Sequence, residues 1–215
     1  MTTSNSRNDQ GGLGEIQRRF IEMLDDGRHA FDAAANALLG GTDPEAIRSD
    51  LFATDRRINR TEQELRRKLV VHGAVHGASH LPQLLVLMSL AKDAERIGDY
   101  AKNLFDLAVE RPWLGDDEER KELIELKDRI SRALVRAKGN YELEDVEAAR
   151  TFLAECHTLE DLCDDRIDRA VRVQGQNAAG LALACRYFKR VVSHASNVIT
   201  SLVMPLDKLD FYDES

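Results

Sequence analysis

A hydrophobic period of 3.6 residues recurs along nearly the whole chain, and no alternating run of strand length interrupts it. That pattern predicts an all-α fold of six long helices. The first is expected over residues 15–39, stopping at Gly40-Gly41. The second runs over 44–71, with Asp43 as N-cap and Pro44 at the first helical position. The glycines in "HGAVHGASHLP" end it, and Ser79 is placed to cap a third helix over 80–110, which stops near Arg111-Pro112-Trp113. A fourth, capped by Asp116, runs to Lys138 before a Gly139-Asn140 turn. The fifth spans 143–173, "QGQN" follows, and the sixth covers 178–203. Only 4 prolines in 215 residues, with abundant Ala, Leu, Glu and Arg, suit such a chain.

The halves resemble each other. "DAERIGDYAKN" (93–103) lies over "YFKRVVSHASN" (187–197), and "DRRIN" (55–59) lies over "DDRID" (164–168), in the same order within each set of three helices. An internal duplication follows, and with it two tandem three-helix bundles, residues 15–112 and 113–204. Residues 1–14 read as a disordered arm and 205–215 as an acidic tail. The first residues, "MTTSNSRNDQGGLG", have no apolar signal-peptide core, and no apolar run approaches a membrane span, so a cytoplasmic protein without membrane insertion is expected. The net charge of −8 argues against nucleic-acid binding, which needs an excess of Lys and Arg for phosphate contacts.

The third helix carries a stripe of Leu84, Leu87, Ala91, Ala94, Gly98, Ala101 and Phe105. Gly98 falls inside it, where the missing Cβ lets a neighbouring helix come close. Glu95 and Asp99 fall on the flank. The second helix has the stripe Ile47, Leu51, Thr54, Ile58, Leu65 and Leu69, with Asp55 and Asn59 on its flank. Two helices joined by a short turn pack antiparallel, so these four residues can face one groove, where gathered carboxylates call for a cation. The plainer reading is a solvated flank whose acids pair with Arg56, Arg57 or Arg96.

Other signals are weaker. His72, His76 and His80 form H-x-x-x-H-x-x-x-H, open to a structural or capping role or to a Zn or Ni site. The nearby glycines favour a helix break within the stretch. His157 and His194 read as packing or surface groups, and Cys156, Cys163 and Cys185 as reduced core residues. No Glu has a His three residues later, which argues against a ferritin-like di-iron enzyme, and no phosphate loop or nucleophile elbow is present. No catalytic activity is expected, nor any organic cofactor.

"DAERIGDYAKN" resembles the signature of the phosphate-transport regulator PhoU and related PhoU-domain proteins, whose usual form is close to D-L-E-R-I-G-D-x-x-x-N. "DRRIN" is similar to the D-x-x-I-D of the preceding helix, and "CRYFKRVVSHASNVITSLV" looks like the second-repeat motif. The resemblance covers roughly residues 15–204. It implies two three-helix bundles in tandem and a cytoplasmic regulator of phosphate uptake and signalling. Implied partners are a phosphate ABC transporter or a phosphate-sensing histidine kinase; a homodimer is compatible with it. Some members bind metal through E(D)-x-x-x-D motifs, which carries over to Glu95, Asp99 and Asp55. Asn59 stands where a second Asp is usual and offers a carbonyl oxygen only. All-oxygen ligands imply Mg, Mn, Ca or Fe. In the second repeat Asp164 and Asp168 fit the motif, with Glu160 on the same flank, but Lys189 and Ser193 replace the facing acids. A lysine there is expected to pair with Asp164 or Asp168 in place of a metal. The competing reading is a metal-free helical adaptor of another phosphate or ion transporter.

Overall fold

The computed structural model describes residues 5–110, 117–172 and 177–209. Six helices account for most of them, and no strand occurs among the described residues: α1 Asn5–Leu38, α2 Pro44–His76, α3 Leu81–Glu110, α4 Asp117–Leu143, α5 Val146–Arg172 and α6 Ala178–Thr200. α1, α2 and α3 pack on one another, as do α4, α5 and α6; α3 against α6 and α1 against α4 join the two sets. One continuous apolar core runs through both.

The α3–α6 crossing carries the duplication into three dimensions. Residues 93 and 187 are equivalent in the repeat alignment, as are 100 and 194. Asp93 of α3 bonds His194 of α6, and Tyr100 of α3 lies 6.0 Å from Tyr187 of α6, ring centroid to centroid. The two contacts are therefore related by exchange of the repeats. An antiparallel crossing of two like helices gives this pattern when the bundles are related by an approximate two-fold.

Most expected starts and stops agree with the helices, and the exceptions have local reasons. α1 begins at Asn5, ten residues before the expected start. Asp43 caps α2 as anticipated, accepting from the Glu45 amide at 3.0 Å. α2 then continues through Gly73 to His76 and breaks at Gly77, whose φ of 72° suits a residue without a Cβ. A 3-10 turn, Gly77–His80, leads into α3. Ser79 does not cap α3; its hydroxyl donates to the His76 carbonyl at 3.4 Å. Gly139-Asn140 is no turn either, because α4 runs on to Leu143. A mid-helix glycine costs about 1 kcal/mol. Tyr141, two residues on, packs its ring 4.9 Å from Phe20 of α1 and so offsets that cost. The break comes at Glu144, with φ of 51°, and Asp145 caps α5 through the Ala148 amide at 3.0 Å. The expected signals at Arg111-Pro112-Trp113 and Asp116, and most of "QGQN", lie outside the described residues.

The α3 stripe is buried throughout. A Cβ built on Gly98 would lie 2.8 Å from Ile58 Cδ1, so the glycine does permit the close approach of α2. The three cysteines are free and buried, and burial pushes their thiols well above the usual range.

Candidate cation site on the α2–α3 flank

Ile58 opposite Gly98 fixes the antiparallel register of α2 and α3. That register places Glu62 of α2 level with Glu95 of α3, and Asp55 one to two turns away beside Lys102, whose ammonium is 3.7 Å off. The group that faces Glu95 is thus Glu62, which sequence reasoning missed. Glu62 is 9% exposed and lies seven residues after Asp55, on the same face of α2. Asn59 sits half-buried between them. Of the four expected residues, Glu95 and Asp99 interact with each other and with Glu62, while Asp55 pairs with Lys102.

Burial first, then the charges of Asp99 and Glu62, push the Glu95 carboxyl up to about 7; a hydrogen bond with Asp99 adds to this and Arg96 opposes it. Arg96 lies 3.0 Å from Asp99 and 3.7 Å from Glu95. Arg66 lies 2.7 Å from Glu62. Arg57 turns away to α1, where it makes two 2.7 Å bonds to Asp26. The flank therefore combines features of both sequence readings: three acids gathered across two helices, with arginines at the rim. Among the described residues no group of three or more His, Cys, Asp or Glu side chains is already placed as a metal cage. As they stand, Arg96 and Arg66 supply the positive charge beside these acids.

Glu95 titrates in a way that can be checked in the presence of a chelator. Its native pKa stands above the ordinary 4.5, so between about 4.5 and 7 the folded state holds more protons than the unfolded one. Stability therefore falls as pH rises through that window. Glu95→Gln should raise the unfolding free energy by about 2 kcal/mol at pH ~8 and leave it nearly unchanged at pH ~4. Urea melts at the two pH values test this; an equal effect at both would rule out the shift.

The second bundle handles its flank differently. The Lys189 ammonium donates to Asp164, and the Ser193 hydroxyl donates to Glu160 at 2.5 Å. Asp168 is exposed and lies 3.5 Å from Arg172. A fixed cation occupies the place that an acid holds in the first bundle. These pairs show that Asp164 corresponds spatially to Glu62, because each faces the same α3 or α6 position, 95 or 189. The alignment of "DRRIN" with "DDRID" is a heptad out of spatial register.

The histidine triplet closes up at the α2–α3 turn. His72 Nε2 and His80 Nδ1 are 3.1 Å apart, and the His72 and His76 rings are 4.3 Å apart. His194, expected as a packing or surface group, forms with Asp93 a buried pair at 2.8 Å between the bundles, which Asn197 joins at 3.1 Å.

The family described as the PhoU domain matches residues 20–108, from the middle of α1 almost to the end of α3. Two solved structures share the fold. The crystal structure of PhoU from Pseudomonas aeruginosa aligns with TM-score 0.79 and 16% identity over 90% of this chain and 96% of that one. The phosphate transport system regulatory protein PhoU from Streptococcus pneumoniae aligns with TM-score 0.74 and 15% identity over 94% and 97%. No curated protein sequence matches.

Proposed function

With a PhoU domain in the first bundle and the fold of two PhoU proteins along nine-tenths of the chain as premise, we propose that this protein is a non-catalytic, cytoplasmic regulator of phosphate uptake and phosphate-dependent signalling. The observation that carries this reading is the "DAERIGDYAKN" segment on α3, inside the matched domain, with its acids gathered against Glu62. The scaffold would dock on a phosphate ABC transporter or on a phosphate-sensing kinase. A hard divalent cation held by Glu62, Glu95 and Asp99 would clamp α2 to α3 and fix the surface they present. The second bundle achieves the same closure with Lys189, so a single cation per chain is expected.

The test is uptake of labelled phosphate in a strain lacking the gene. Uptake or its response to phosphate starvation should be deranged, and restored by the wild-type gene. Indifference to phosphate supply would overturn the regulatory reading. Protein purified from the complemented strain should retain about one divalent cation per chain, and Glu95→Ala with Asp99→Ala should lose it. Unchanged metal content in that variant would remove the cation from the proposal.

A further inference from the structure

From residue 69 to 91 the chain has no Asp, Glu, Lys or Arg, although charged residues make up 32% of the whole. The fold places this uncharged run at one tip of the first bundle: the end of α2, the 3-10 turn and the start of α3. The tip is not buried. Of the large apolar side chains that stand exposed among the described residues, five cluster here: Val70, Val71, Val75, Leu81 and Leu85, from 47% to 70% exposed. They flank an apolar groove of about 470 Å³ between the two helices, with Leu69, Leu84 and Met88 in its walls and Gly73 and Gly77 at its edge. An apolar surface of this kind on a protein that is otherwise acidic marks a place of contact.

The charges around it select the occupant. Arg66, Arg67 and Lys68 stand just behind the apolar segment on α2, and Lys92 just behind it on α3. Glu62 holds Arg66 and Glu15 holds Lys68 in ion pairs, while Arg67 and Lys92 reach solvent. Cations thus collar an apolar tip that carries no acid of its own. The α2 part of the tip, residues 69–76, is about 12 Å long at 1.5 Å per residue. That length suits the depth of about 5–10 Å reached by apolar faces in the boundary between lipid headgroups and acyl chains. The exposed aliphatic residues lie on the outer sides of both helices as well as at the groove. They lead into a soft apolar layer rather than enclose one partner side chain. No helix among the described residues is long and apolar enough to cross a membrane.

We propose that the α2–α3 tip docks on the surface of an anionic lipid bilayer. Val70, Val75, Leu81 and Leu85 enter the headgroup–acyl boundary, and the collar of Arg67 and Lys92 meets lipid phosphates. This does not depend on the phosphate-regulator reading, since it stands on the tip alone.

Co-sedimentation of the full-length protein with unilamellar vesicles tests it. Phosphatidylcholine vesicles with about 30% phosphatidylglycerol should bring the wild type down at low salt, and added salt should release it. Val70→Glu with Val75→Glu should lower the bound fraction about tenfold. Both side chains are exposed, so the far-ultraviolet circular dichroism should not change. Arg67→Glu with Lys92→Glu should weaken binding to the anionic vesicles. Wild type that stays in the supernatant with anionic vesicles overturns the proposal, as does a Val70/Val75 variant that sediments like wild type. Self-association abolished by the valine substitutions, without vesicle binding, assigns the surface to a protein interface and overturns it too.

Discussion

Asp93→Ala is expected to lower the unfolding free energy by about 3 kcal/mol, the cost of leaving the buried hydrogen-bonding groups of its partner unsatisfied. Asp93 is fully buried on α3 and His194 is 6% exposed on α6, so the bond between them crosses the joint of the two bundles. The pair is only partly satisfied: Asp93 Oδ2 and His194 Nε2 have no hydrogen-bond partner among the described residues. Alanine at 93 would leave both ring nitrogens of a buried imidazole without one. An apolar pair of similar volume behaves differently. Asp93→Val with His194→Leu removes both polar groups, leaves Asn197 with access to water, and should recover most or all of the loss. Thermal or urea melts of the two single variants and the double variant form the cycle. A double variant as unstable as the sum of the singles would mean that the two side chains are not coupled and would overturn this account of the pair.

Phe188→Ala should cost a similar amount, about 3–5 kcal/mol. The Phe188 ring on α6 is fully buried and packs edge-on against Phe31 of α1, centroids 5.6 Å apart. Unlike Asp93, it has no polar term, so its loss appears as a cavity. The large-to-small series Phe188→Leu→Ala should therefore step down with volume. Because Phe31 and Phe188 belong to different repeats, the loss should reduce unfolding of the whole chain to a lower midpoint while keeping a single transition. Two separate transitions would show that the bundles are independent units, contrary to their common core.

The helices, their apolar faces and the duplication could be read from the chain because they depend on spacing within one segment. Gly98 is an example: the stripe of Leu84 to Phe105 assigned it to the core, and the structure adds that Ile58 is what comes close. Helix ends were read less well where glycines stood in favourable surroundings. Gly73 and Gly139 were expected to end helices, yet the packing of their neighbours carries α2 and α4 past them.

The site was half legible. Glu95 and Asp99 share one helix at a spacing of four, which sequence fixes on a common flank. Glu62, whose charge acts on Glu95, was overlooked beside Asp55, since a helix presents nearly the same face every seven residues and the two differ by that amount. Periodicity gives an angle about the axis; it does not give the height at which two helices meet. The same limit hid Asp93 and His194, which lie in different repeats and have no signal linking them. By itself the sequence determined that the chain forms six amphipathic helices in two related sets and which acids lie on their flanks. Only the tertiary structure decided which residues stand opposite one another, because register between helices is set by side-chain interlocking, such as Ile58 against Gly98, summed over the whole core.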